Sequence, residues 1–313
     1  MNGEAEAPVG RQKREQKRST RVEVNGWINL DKPVGVTSTQ AVAQVKFLFN
    51  AKKAGHAGTL DPLATGILPI ALGEATKTVS VVQDGVKVYR FGVKWGEERD
   101  TDDDEGRVVA TSDRRPERAE IEPLLPRFIG TVLQTPPVFS AIKIAGERAY
   151  DLARDGHAPV MEPREVTILR FDIVAHDCGE TVFEAECGKG TYVRAIARDL
   201  GRLLGCFGHV SLLRRTRVGP FHEAQAIALE ALREAPEARV AALLPVDAGL
   251  REMACVPIDR DGARALRRGQ KLLLRGSRAP MEGPAYASCF GAPVAFGVVE
   301  EGYFVSTRVF NLG

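Results

Sequence analysis

The chain of 313 residues has little that would place it quickly in a class. Its five cysteines (Cys178, Cys187, Cys206, Cys255 and Cys289) are scattered and form no Cys-x-x-Cys pair. This spacing argues against a zinc site and suits buried free thiols in a reducing cytoplasm. No run of about 18 apolar residues exists, so no membrane-spanning helix is expected. The first residues carry no apolar signal core. Gly-x-Gly-x-x-Gly and Walker patterns are missing, so no nucleotide cofactor is expected. The carboxylate-rich stretch 97–105 lacks the central Gly and terminal Glu of a calcium loop, so no metal is expected either. There is no internal repeat. The net charge is only +2, which gives no uniform field for attracting a polyanion.

The distribution of charge is more informative than its sum. Residues 1–21 carry six basic groups against three glutamates, and residues 251–313 carry nine basic against six acidic. Much of the compensating negative charge sits in Glu97-Glu98-Arg99-Asp100-Thr101-Asp102-Asp103-Asp104-Glu105. Basic ends with an acidic patch between them suit directed binding of a polyanion. Solvated tails and a solvated acidic face are the alternative reading.

The length suits two domains. Residues 1–22 are polar and charged and read as a disordered basic tail. Gly26 to Pro33 reads as a strand ending in a Pro-Val-Gly turn, and Thr37 or Ser38 caps a helix to about Asn50. Strands are expected over Ile67–Leu72 and Val86–Trp95, with a helix through Lys77–Val82 between them. Pro116 opens a helix to about Phe128. Residues 134–163 form a long Pro-containing insertion, of the kind that is usually functional or disordered. Strands follow over Val166–Ala175, Thr181–Cys187 and Ser211–Val218, and Tyr192–Leu204 is an amphipathic helix. Pro245 closes this unit, and short β-prone runs from Val256 onward suggest a small β-rich module.

The stretch from Gly55 to Pro69, Gly-His-Ala-Gly-Thr-Leu-Asp-Pro-Leu-Ala-Thr-Gly-Ile-Leu-Pro, concentrates the chemistry. Glycines, prolines and Thr59 restrict the backbone around one carboxylate, Asp61. A side chain so held is positioned in advance. Asp followed by Pro is also a good helix start, with Asp as N-cap. Both roles keep the carboxylate ionised, so the local pattern leaves them open.

This stretch resembles the catalytic motif of the TruB-type tRNA pseudouridine-55 synthases of bacteria. Leu30 to Ser38 resembles the family's N-terminal motif, Lys87-Val88-Tyr89-Arg90 its tyrosine strand, and Gly188-Lys189-Gly190-Thr191-Tyr192-Val193-Arg194-Ala195 its arginine motif. Gln134-Thr135-Pro136-Pro137, Ser140-Ala141-Ile142-Lys143 and Arg148-Ala149-Tyr150 fit as well. The likeness runs in order from about residue 24 to 250.

The resemblance implies an α+β fold with a mixed, largely antiparallel sheet, flanking helices and a central cleft. A catalytic domain would cover 23–250, with 134–163 as a thumb-like RNA-binding insertion, and a PUA-like RNA-binding domain would cover 251–313. Asp61 would be the nucleophile, Arg194 its partner, and Tyr89 would stack on the base and move a proton. His56, Lys32, Tyr192 and Leu213 would support or line the pocket, while Lys143, Arg148 and Arg154 would grip the RNA. Lys189, Arg214, Arg215 and Arg217 are candidates for phosphate contacts, and Lys32 would either support the pocket or contact phosphate. The expected partner is the T-arm of tRNA, the expected protein a cytoplasmic monomer. By position alone, Arg194 reads equally as a solvated arginine, Tyr89 as a half-buried strand tyrosine, His56 as a turn residue, Lys32 as a surface lysine and Leu213 as core. The rival functions are a non-catalytic RNA-binding or tRNA-folding protein and an isomerase for another RNA.

Overall fold

The computed structural model describes residues 21–140, 142–144, 147–154, 159–274 and 282–312. All but the last two residues of the basic tail read over 1–22 lie outside them. In the first part of the chain, β1 (Gly26–Lys32), α1 (Ser38–Leu48), β2 (Ala54–His56), β3 (Thr65–Leu72), α2 (Val79–Asp84) and β4 (Lys87–Trp95) follow one another. A hairpin of β5 (Glu97–Arg99) and β6 (Val108–Thr111) carries the acidic stretch, ahead of α3 (Arg118–Ile121) and β7 (Gly130–Gln134). Within the 134–163 insertion lie β8 (Lys143–Ile144), β9 (Glu147–Arg148) and α4 (Ala149–Arg154). Then come β10 (Arg164–His176), β11 (Glu180–Cys187), α5 (Val193–Leu204), β12 (Gly208–Val218), β13 (Phe221–His222), β14 (Ile227–Ala228), α6 (Leu229–Glu234) and α7 (Pro236–Ala242).

Among the described residues, ten strands build one mixed sheet in the order β14-β1-β3-β12-β4-β11-β10-β7, with β13 beside β12 and β2 beside β3. The pairs β1–β14 and β3–β12 are parallel, and the other pairs are antiparallel. Phe91, Phe171 and Phe183 cluster on one face of the sheet, where Ile196, Leu200 and Leu204 of α5 join the same core. The three-to-four spacing of those α5 residues is what buries that side of the helix. Helix α1 starts at Thr37, whose hydroxyl accepts from the Gln40 amide while the Gln40 side chain accepts from the Thr37 amide.

Three sequence expectations change. No helix follows Asp61. Pro62 instead takes the second position of a turn in which the Ala64 amide donates to the Asp61 carbonyl at 3.1 Å, and β3 begins at Thr65. Proline presets that turn position as readily as a first helical turn, and the apolar run behind it is strand-forming. The helix expected from Pro116 is a four-residue α3 and then a 3-10 turn over Glu122–Phe128, because Pro126 has no amide to continue an α-helix. The cysteines are not uniformly buried: Cys187 and Cys206 are, whereas Cys178 and Cys255 are exposed.

The C-terminal module has its own five-stranded sheet, made from β15 (Ala254–Pro257), β16 (Leu272–Leu273), β17 (Gly283–Cys289), β18 (Ala292–Glu300) and β19 (Tyr303–Val309), in the order β15-β17-β18-β19-β16. Helix α8 (Arg260–Arg267) packs Ala263 and Leu266 into a core with Val256, Ala287 and Phe304. The architecture is PUA-like. The module is not loosely tethered, since Phe296 and Phe310 enter a core shared with Trp27, Val82, Phe221 and Leu250 of the large unit. Lys77 donates to the Val309 carbonyl at 2.9 Å, and the Asn311 amide donates to Glu74 at 2.6 Å. Among the described residues no helix is long and apolar enough to cross a membrane.

Candidate active site

Asp61 sits in the loop between β2 and β3, and five consecutive carbonyls of that loop are held. Arg215 donates through Nη2 to Gly58 O at 3.0 Å and through Nη1 to Thr59 O at 3.3 Å. Ser38 Oγ donates to Leu60 O at 3.0 Å and accepts from the Leu60 amide at 2.8 Å. Asp61 O accepts from Ala64, and Pro62 O accepts from the Gly35 amide at 2.9 Å. Lys32 Nζ also reaches Pro62 O at 3.4 Å, with Val36 O at 2.7 Å and Pro33 O at 2.9 Å. At roughly 1 kcal/mol net per bond, such ties decide one backbone geometry among many. Asp61 is thus presented by a loop that is rigid without belonging to a helix.

The carboxylate meets a guanidinium from α5. Arg194 Nη2 is 3.0 Å from Asp61 Oδ2, with the arginine side chain 7% exposed and the aspartate 37%. The other Arg194 donors go to Thr101 O at 2.9 Å and Phe139 O at 3.0 Å, and Nη1 lies 3.4 Å from Asp103 Oδ2. Arg194 is therefore not the solvated arginine that its position alone allowed. Gln134 fixes the start of this helix. Its side-chain amide donates to Tyr192 O at 3.1 Å, and its carbonyl accepts from the Tyr192 amide at 2.8 Å.

The acidic stretch is not a solvated face. Arg194, Arg198 and Arg202 lie four apart on α5, and the stretch runs along them. Asp103 meets Arg194, Asp102 lies 3.0 Å from Arg198, and Glu98 accepts from Arg202 at 2.7 and 2.8 Å. His209, fully buried, reaches Asp104 at 3.0 Å. Burial pushes the Asp102 carboxyl up to about 6, against the opposing pull of Arg198 and Arg194. Burial raises Asp103 too, while the Thr101 hydroxyl and Arg194 pull it down. The sequence signal for this ladder was the i, i+4, i+8 spacing of the arginines.

A cavity of about 1230 Å³ opens in front of Asp61. His56, Tyr89, Tyr192, Arg194 and Leu213 line it, as does Lys87, whose role the sequence did not suggest. Tyr89 is half-buried on β4, directly opposite Arg215 of β12. Burial raises the Tyr89 hydroxyl above its ordinary pKa, and Arg215 opposes the rise. Burial and the nearby Arg215 lower His56, so its ring is neutral at pH 7. Burial, reinforced by Arg215, brings Lys87 to about 8.

Lys32 and Arg215 do not face the cavity. Lys32 is 0% exposed and its ammonium is spent on three carbonyls, so it supports the loop and is not a surface lysine or a phosphate contact. Arg215 is 1% exposed, which removes it from the phosphate candidates as well. Arg214 pairs with Asp31 and Glu223, Arg217 with Glu252, and Lys189 with Asp84. Lys143, Arg148 and Arg154 fall on β8, β9 and α4, but their side chains lie outside the described residues. Tyr150 of α4 and Phe139 close the cavity on that side.

A model for the N-terminal domain of TruB family pseudouridylate synthases matches residues 46–193, and one for the tRNA pseudouridylate synthase B C-terminal domain matches 194–251. This chain belongs to the TruB family. Relatives named tRNA pseudouridine synthase B include one from Nitrobacter winogradskyi, 57% identical over 306 residues that span 95% of this chain and 86% of the relative. Another, from Rhodopseudomonas palustris, is 57% identical over 299 residues, 93% of this chain and 82% of that one. Among solved structures, a chain of a Cbf5-Nop10-Gar1 complex superposes with a TM-score of 0.70 at 25% identity, covering 91% of this chain and 84% of its own. The TruB family models leave out β1 and the Leu30–Ser38 segment, which here supply Lys32, Gly35 and Ser38 to the Asp61 loop.

Proposed function

We propose that this chain is a tRNA pseudouridine-55 synthase, isomerising the T-loop uridine at position 55 of tRNA to pseudouridine. The observation that carries the reading is Asp61, fixed by its tied loop and paired with Arg194 at 3.0 Å on the wall of a large cavity. A uridine inside a folded RNA loop is out of reach, so it is flipped into that cavity. The Asp61 carboxylate attacks and forms a covalent adduct, which divides one difficult step into easier ones. The bond from ribose C1′ to N1 breaks with its electron pair left on the base. The base turns, C5 bonds to C1′, the bond between Asp61 and the substrate breaks with its electron pair returning to the carboxylate, the C5 proton leaves, and N1 ends protonated.

Each neighbour has a part in this sequence. Arg194 keeps Asp61 ionised when the base displaces water from around it. Tyr89 stacks on the flipped base and its hydroxyl moves the C5 proton. His56 wedges beside the extruded nucleotide as a neutral ring, while Tyr192 and Leu213 shape the pocket. Lys143, Arg148 and Arg154 of the 134–163 thumb hold the T-arm backbone, contacts that position RNA without reading its sequence. Residues 23–250 form the catalytic domain and 251–313 a PUA-like RNA-binding domain. The enzyme acts as a cytoplasmic monomer. Incubating the protein with an unmodified tRNA transcript and mapping pseudouridines tests this reading: modification at position 55 alone is expected. Modification elsewhere or none at all contradicts it.

A further inference from the structure

Arg215 is a buried cation in an unusual setting. It is 1% exposed, yet among the described residues no carboxylate lies within ion-pair distance of it. Its donors go to neutral acceptors: Nε to Ile67 O at 2.8 Å, and the two Nη atoms to Gly58 O and Thr59 O. Its cross-strand neighbour is Tyr89, and the Arg215 charge pulls the Tyr89 hydroxyl toward its ionised form. A buried charge without a counter-ion is costly, and a neutral side chain would satisfy carbonyls at lower cost. The loop passes close to it: at Gly58, which has φ +99°, a Cβ would lie 3.5 Å from Arg215 Nη1. Arg215 does not line the cavity, whereas Tyr89 does.

We propose that Arg215 is a positioning residue of the isomerisation, whose uncompensated charge acts on the reaction through the hydroxyl of Tyr89. The proposal rests on the reading that Tyr89 moves a proton of a base bound in this cavity. The cation sits behind the cavity wall that Tyr89 lines, anchored by three backbone carbonyls, two of them in the Asp61 loop. It orients the phenol and favours its charged form, so the oxygen that receives the C5 proton is a better acceptor than a buried phenol alone. Because the guanidinium is out of contact with solvent, water and salt screen this effect little.

The test compares Arg215→Gln, which keeps donors without charge, and Arg215→Lys, which keeps the charge, each alone and combined with Tyr89→Phe. Single-turnover rates on tRNA transcript at saturating enzyme are expected to fall about 100-fold for Arg215→Gln and no more than about 10-fold for Arg215→Lys, with tRNA binding within a few fold of the parent. In the Tyr89→Phe background the loss from Arg215→Gln is expected to shrink at least 10-fold. Ultraviolet titration of the phenol, read as the difference from Tyr89→Phe, should move to higher pH in Arg215→Gln and stay with the parent in Arg215→Lys. Equal losses in both backgrounds, or an unmoved titration, would make Arg215 only a clamp on the loop and overturn the proposal. If Arg215→Gln does not fold, Arg215→Lys decides: a Lys variant as slow as Tyr89→Phe overturns it. The titration needs no turnover, so failure of the proposed activity is told apart from failure of this inference.

Discussion

Lys32 shows how far a side chain's role can depart from its type. A lysine in a Lys-Pro turn has every appearance of a surface group, yet this one is 0% exposed and holds three carbonyls. Burial brings its pKa down to about 8, against the pull of Asp61 and with the help of Arg215. The unfolded chain keeps the ordinary value of 10.5. Between these two pH values the unfolded chain holds a proton that the folded one has released, so stability rises with pH across that window. The stability of the parent minus that of Lys32→Met should therefore be flat below pH 7 and climb from pH 8 to 10.5. Urea unfolding at a series of pH values measures it, and a flat difference throughout would mean that Lys32 is charged at its site over the whole range. Asp61, Arg194 and Tyr89 were visible in the sequence because motifs mark them. Ser38 and Arg215 were visible as residues but not in their roles, and for Lys32 the supporting role was one of the readings; all three roles depend on backbone carbonyls of the β1–α1 turn, the Asp61 loop and β3 being brought within reach of side chains from β1, α1 and β12.

At the scale of elements, the pairing of α5 with the acidic stretch is the part that the sequence concealed. Read along the chain, the stretch is a run of negative charge. Folded, it is a set of counter-ions for arginines more than ninety residues away. Charge runs are solvated when nothing opposes them, and here a helix does. The strands and helices themselves were largely legible, because alternation and the three-to-four spacing survive folding. The exceptions, Asp61–Pro62 and Glu122–Phe128, are both proline segments, where one residue type serves a turn, a strand entry or a helix start. The ladder predicts unequal costs along its length. Arg198 and Asp102 are both about 8–9% exposed in their side chains, so Arg198→Met strands a buried carboxylate and should cost about 3 kcal/mol or more. Arg202 is 54% exposed although Glu98 beside it is only 11% exposed, so water reaches the vacated position and Arg202→Met should cost less, about 1–2 kcal/mol. Denaturant midpoints compare the two, and equal costs would contradict a ladder that is buried at one end and open at the other.

For the whole molecule, Pro245 and the change to short β-prone runs suggested a boundary near residue 250. What the sequence did not reveal is the seam. Phe296 and Phe310 complete a core that begins with Trp27, near the start of the described chain. Contacts of such sequence separation leave no local pattern. A module that finishes its neighbour's core should not melt independently, so the intact protein is expected to unfold in one calorimetric transition. Phe310→Ala, at a residue 1% exposed, should lower that single transition without splitting it. Two resolved transitions in the parent would show that the modules are merely tethered.

The central claim is that a carboxylate held by its own backbone and one buried guanidinium performs the isomerisation in the cavity before it. The most direct measurement gives Asp61→Asn and the parent the same unmodified tRNA transcript, following pseudouridine at position 55 and tRNA affinity together. The expected result is no detectable pseudouridine with affinity within a few fold of the parent, because the loop, Arg194 and the RNA-binding surface remain in place. Turnover by Asp61→Asn at the parent's rate would contradict the account.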